Sequence, residues 1–188
     1  MEEQILYRHI FNLKETLSAY TQTYWMQYSS IDTWFFWMNV ATIVIPLIVL
    51  YFYIDKKRLF EVCFFGYTAH VVWSNIDRML SSYNLLVHPH SLTHVLLIPG
   101  GITVTTALFP VTFMLLYQHC TAHNKHFWLY AIAASIVFSY GFGGLSLLTD
   151  LLRMHKWMNL TYLLFIDVFV VFISYWATKG FLFFKYKT

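Results

Sequence analysis

The sequence predicts an all-α fold, a polytopic transmembrane helical bundle of about five spans with an N-terminal amphipathic helix, and three observations predict it. Of its 188 residues 59% are hydrophobic and only 11% are charged, whereas soluble domains carry about 25% charged residues to cover their surface. Five stretches reach the roughly 20 mostly apolar residues that a helix needs to cross the hydrocarbon. Eighteen Phe, 14 Tyr and 7 Trp add the amphipathic aromatics that gather at membrane interfaces. Residues 1–30 are read as the amphipathic helix and residues 31–188 as the bundle, with no room for a separate soluble domain.

In the first element Leu6, Ile10, Leu13, Leu17, Tyr20 and Tyr24 recur at alternating steps of four and three, while Glu2, Glu3, Arg8, Asn12, Lys14 and Glu15 lie off that stripe. This is an amphipathic pattern. It suits either the membrane interface or packing over the ends of the bundle. The start MEEQILYRHIFNLKETLSAY lacks the basic, apolar, small-residue order of a cleavable signal peptide, so the first span is expected to serve as the targeting signal.

The expected spans are Trp34–Ile54, Leu59–Leu80, Leu92–Tyr117, Phe127–Leu148 and Trp157–Thr178. Short polar links favour antiparallel neighbours. With five spans the termini lie on opposite sides, and the positive-inside rule selects the orientation. A cytoplasmic C-terminus places Lys56, Lys57, Arg58, Lys125, Lys179, Lys185 and Lys187 inside against Arg8, Lys14, Arg78, Arg153 and Lys156 outside. That bias predicts the N-terminus outside and the C-terminus in the cytoplasm. Pro99-Gly100-Gly101 and Pro110 are expected to kink or unwind the third span.

An ionisable side chain deep in a bilayer is costly and turns to the bundle interior and a partner. In the stretch GYTAHVVWSNID, residues 66–77, His70 lies about 16 Å from one boundary at 1.5 Å per residue. Asp167 in the fifth span lies about 15 Å from the other by the same rise, so the two share a depth. Their pairing would be a structural hydrogen bond between helices or a proton-exchanging couple that relays protons or anchors a substrate. Cys63, Gly66, Tyr67, His70, Ser74 and Asp77 are expected on one face of the second span, with Asp77 at a hydrated helix end. Glu61 is expected to pair with Lys57 or Arg58. Ser135, Ser139, Gly143, Ser146 and Asp150 form a stripe on the fourth span, and Asp167, Ser174 and Thr178 one on the fifth. Such stripes let helices approach closely, or line a polar path. Buried polar candidates are thus His70, Asp167, Ser74 and Ser139.

Histidines cluster at both boundaries. His88, His90 and His94 on one side, and His119, His123 and His126 on the other, have spacings that a borderline metal uses. His90, His94 and Asp77 are the weak candidates of an outer site, with Asp150 and His155 near them, yet no metal is assigned because Pro89 interrupts the run and no His-Glu-x-x-His motif occurs. Cys63 and Cys120 form no Cys-x-x-Cys pair and read as ordinary thiols. There is no Gly-x-Ser-x-Gly elbow, phosphate-binding glycine loop, dinucleotide fingerprint or haem attachment motif, and a single deep histidine does not supply two haem ligands. No cofactor is expected. A scattered net charge of +3 gives no footprint for nucleic acid. The expected partners are the lipid bilayer and a membrane protein or a second copy.

The run WFFWMN, Pro46, YFYIDKKRLFEVCFFGYTAH, the NID step and FPVTFMLLYQ resembles a family of small uncharacterised multi-pass membrane proteins of endospore-forming Firmicutes, over most of the chain from Trp34 to Thr178. That resemblance implies a bacterial cytoplasmic membrane protein and supplies no activity or catalytic residue. Two classes of function stay open: a non-enzymatic transport, proton-linked or accessory membrane component, and an intramembrane enzyme using His70 and Asp167 as acid and base on a lipidic substrate.

Overall fold

A computed structural model describes residues 2–94 and 106–186. It is 79% helical, in keeping with the all-α expectation. The helices are α1 (Glu2–Tyr28), α2 (Trp34–Tyr53), α3 (Leu59–Ser82), α4 (Leu108–Ala122), α5 (Phe127–Ile136), α6 (Gly143–Leu148) and α7 (Leu160–Tyr186). A π-helical turn, Val137–Phe142, joins α5 to α6. The two-residue strands β1 (Leu86–Val87) and β2 (Arg153–Met154) pair antiparallel.

Three helices among the described residues are long and apolar enough to cross a membrane: α2, the run Phe127–Leu148, and Leu160–Phe184. The other two expected spans fall short for different reasons. α3 has the length, 24 residues, but carries Glu61, Asp77 and Arg78. α4, in the expected third span, has 15 and begins at Leu108 after a turn at residues 106–107; residues 95–105 of that span lie outside the described residues. Pro99-Gly100-Gly101 lies outside the described residues. Pro110 does not kink α4; it sits in the first turn, where no intrahelical partner exists for the N–H that proline lacks.

Left-handed asparagine and aspartate residues stop three of the helices. Asn84, Asn124 and Asp150 have φ of 52°, 51° and 64°, a conformation that Asn and Asp tolerate better than other side-chain-bearing residues. Each reversal returns an amide to the helix end: Leu85 N to Leu80 O, Lys125 N to Cys120 O, and Leu152 N to Ser146 O. At the end of α2, Gln118 of α4 accepts from the Asp55 amide at 2.8 Å and donates to Tyr53 O at 2.9 Å.

Helices α3, α4, α5–α6 and α7 close a four-membered ring and α2 docks on α4. One end carries the β1–β2 pair and the start of α2, the other the basic turn Asp55–Arg58. The buried stripe of α3 is Val62, Phe65, Gly66, Ala69, Trp73, Asp77 and Leu80. The expected face is therefore displaced: Cys63 and Tyr67 are exposed and His70 lies at the edge. The stripe follows Phe65 and Trp73, whose area outweighs a lone imidazole. At Gly66 an added Cβ would overlap Met114 Sδ and Cγ, so glycine sets how closely α3 and α4 approach. Around it Phe65 stacks on Tyr117 with ring centroids 4.7 Å apart, and Phe127 on Tyr175 at 5.0 Å. Helix α1 buries no residue, and touches the remainder near its end, where Trp25 Nε1 donates to Ser91 O.

Candidate functional site

The half of the bundle toward the β1–β2 pair is hollow. A cavity of about 70 Å³ lies between α2, α3, α4, α6 and α7, walled by side chains such as Phe109, Phe138, Phe142 and Leu163. Its polar lining is Asn39, Thr42, Trp73, His88, Ser146 and Asp167. At about 10–15 Å³ per water by the same measure, it has room for roughly five waters or one small solute.

Asp167 is the buried carboxyl on this cavity, 3% exposed. Trp73 Nε1 of α3 donates to Oδ1 at 2.8 Å, and Ser139 Oγ of the π turn donates to Oδ2 at 2.8 Å. Both donors are neutral. Local chain chemistry explains how they reach it: Trp73 lies on the buried stripe of α3, and the wider π turn rotates Ser139 inward where Gly141 and Gly143 relax the helix. At Gly143 a Cβ would crowd Leu163, so that glycine also admits α7. π turns interrupt helices most often at functional positions.

The expected contact between His70 and Asp167 is not formed. Their helices do pack on each other, but the two oxygens of Asp167 accept from Trp73 and Ser139, while His70 Nδ1 is buried with no hydrogen-bond partner. Ser135 Oγ, one turn from Ser139 on the side of the basic turn, is likewise buried and unpartnered. Ser139, one of the expected buried polar residues, is fully buried. Ser74 is half-buried and lines no part of the cavity. Ser146, Ser174 and Thr178 are buried, as the stripes implied, the last two bonded to carbonyls of their own helix. Sequence reasoning missed Trp73 because it weighed ionisable groups; the usable signal was that a buried indole N–H needs an acceptor.

Asp77 is not a hydrated helix end. It is 1% exposed and faces His88 Nε2 at 3.2 Å. The other expected metal candidates are dispersed: His90 Nδ1 bonds Ser29 Oγ at 2.8 Å and its ring stacks on Phe35, and His94 lies against Trp25. Among the described residues no three His, Cys, Asp or Glu side chains converge as a metal site. Burial holds the His90 imidazole below its ordinary value, Arg153 adding to that and Asp150 and the Tyr28 backbone opposing it. At the opposite end Glu61 pairs with Arg58, as expected, through a forked bond of 2.6 and 3.1 Å, and also accepts from Tyr117 at 2.7 Å.

No family model matches the chain, and neither does a curated protein or a solved structure. The resemblance to the small membrane proteins of endospore formers rests on its motifs alone.

Proposed function

We propose that the chain is a multi-pass protein of a bacterial cytoplasmic membrane, with α3 and the third segment completing five spans and the C-terminus in the cytoplasm. Support for the membrane reading is the outer surface of the bundle. Ile45, Leu47, Tyr51 and Phe52 of α2, and Phe165, Phe169 and Trp176 of α7, are all exposed, and apolar outer faces of this size call for an apolar surrounding rather than water.

Within that setting the protein is a non-enzymatic, proton-linked transport or accessory component whose proton-binding group is Asp167. The observation that carries this reading is a buried carboxyl on a cavity, held by two neutral donors and no cation. Intramembrane carboxyls in such positions mark proton and ion pathways. Indole N–H and hydroxyl hold the carboxyl in place in either protonation state, since the hydroxyl also accepts. The reading as an enzyme with His70 and Asp167 as acid and base has less behind it, because these two groups share no hydrogen bond.

Infrared spectra of the full chain in lipid, recorded across a pH titration, test the proposal. A protonated-carboxyl band that appears and disappears with pH, is lost in Asp167→Asn and persists in Glu61→Gln, supports it. A spectrum in which Asp167→Asn removes no pH-dependent band overturns it.

A further inference from the structure

Among the described residues the apolar stripe of α1 is uncovered over most of its length, Tyr24 alone meeting the bundle where its ring stacks on His90 with centroids 6.0 Å apart. Leu6, Ile10, Leu13, Leu17, Tyr20 and Tyr24 are between 39% and 73% exposed, and no residue of the helix is buried by the bundle. Among the described residues, then, the helix does not pack over the bundle ends, one of the two placements the sequence allowed. Three features bear on what covers it.

The stripe is a heptad seam. Steps of four and three alternate through all six positions, so that Ile10, Leu17 and Tyr24 take one heptad core position and Leu6, Leu13 and Tyr20 the other. At 100° per residue these six fall within an arc of about 80°, narrower than the ≳100° face by which a helix beds onto a globular core. A strict 3.5-residue repeat is the geometry of two helices coiled on each other.

Flanks and charge fit a protein partner better than a lipid surface. Thr16, Thr21 and Thr23 border the seam, and each hydroxyl already donates to the carbonyl four residues back, so a neighbouring helix covers them without stranding a donor. Arg8 and Glu15 lie on the opposite face. Helices that lie on membranes carry a Lys/Arg-rich polar face, whereas α1 holds three glutamates, Glu2, Glu3 and Glu15, against Arg8 and Lys14.

Covering the six side chains with the same six of a second copy removes on the order of 1,200 Å² from solvent, the lower edge of specific interfaces. Two and a half heptads would be marginal between free helices. Here each helix is tethered at Tyr28 to a bundle in the same membrane, which raises its effective concentration toward its twin. The shared tether also fixes the direction, because two helices leaving one membrane face run parallel.

We propose that α1 joins α1 of a second copy of this chain as a parallel two-stranded coiled coil through Leu6, Ile10, Leu13, Leu17, Tyr20 and Tyr24. The test is oxidative cross-linking of the full chain in native membranes, with Cys63→Ser and Cys120→Ala removing the natural thiols. Leu13→Cys on the seam is expected to give at least ten times more covalent dimer than Glu15→Cys on the far face. A Leu13→Glu/Leu17→Glu variant, checked for an unchanged thermal unfolding transition, is expected to elute as a monomer where the parent elutes as a dimer. Three results overturn the proposal: equal cross-linking at both positions, a seam that cross-links to a different protein, or a monomer whose spin-labelled Leu13→Cys is quenched by lipid-borne reagents.

Discussion

Glu61 and Asp167 are both carboxylates set among apolar helices, and they keep different company. Glu61 sits at the basic-turn end under a guanidinium fork from Arg58 and a phenol from Tyr117, above a packed set of rings formed by Phe65, Tyr117, Phe127 and Tyr175. Asp167 sits in the half toward the β1–β2 pair, holds two neutral donors and borders a cavity. A permanent cation fixes the charge state of one; nothing of that kind fixes the other. The same bundle thus spends one half on packing and leaves the other half hollow beside a buried carboxyl held by neutral donors.

That contrast is broken or sharpened first by truncating a ring in each half. Phe65→Ala is expected to cost about 3–5 kcal/mol, since a fully buried ring leaves a void its neighbours cannot fill. Phe142 is only partly buried and borders existing empty space, so Phe142→Ala is expected to cost about 1–2 kcal/mol, below the range for a fully buried ring. Equilibrium unfolding in mixed micelles measures both, and equal losses would mean that the two halves are packed alike.

The next largest effect is at Asp167. Replacement by Leu leaves the Trp73 N–H and the Ser139 hydroxyl without an acceptor, at a cost of about 1–3 kcal/mol. Asp167→Asn keeps an acceptor oxygen and is expected to unfold within about 1 kcal/mol of the parent. Adding Ser139→Ala to Asp167→Leu recovers part of the loss because one stranded donor is removed. If Asp167→Leu proves as stable as the parent, the two hydrogen bonds do not form.

Tyr117→Phe is the matching change in the packed half. It deletes a bond to Glu61 but leaves the Arg58 fork, and the carboxylate retains some access to solvent, so the expected loss is about 1 kcal/mol.

How much of this was legible beforehand follows from what a helix period encodes. Boundaries of α2, α3 and the Phe127–Leu148 run emerged within a few residues, because apolar length is a one-dimensional property. Ser139 and Asp167 were legible as small and acidic residues on buried stripes. Trp73 and the freedom of His70 were not: an indole and an imidazole three positions apart lie about 60° from each other on a helix, and which of them faces Asp167 is decided by the bulk of Phe65 and Trp73 across two neighbouring helices. The burial of Asp77 was hidden for a related reason. Its partner, His88, approaches from the segment beyond Asn84, whose left-handed turn folds the chain back over the end of α3.

The smallest expected effect belongs to the joint that roofs the hollow half. His90 holds the α1–α2 link through Ser29, and its backbone carbonyl accepts from Asn39 Nδ2 at 3.0 Å. With the folded imidazole held below its ordinary value by burial, the free chain takes up a proton on acidification before the joint does. Stability from this residue is complete above about pH 6.5 and declines as pH falls below it. The loss is expected to be at most about 1 kcal/mol and to act locally. Hydrogen exchange at residues 29–39 should therefore quicken, after correction for intrinsic rates, between about pH 7.5 and 5.5, while residues 112–122 beside the ring stack stay protected. In His90→Gln the pH dependence should vanish even where the joint is looser at every pH. If the joint instead tightens on acidification, the imidazole is charged in the folded state and the roof of the cavity is held by a cation after all.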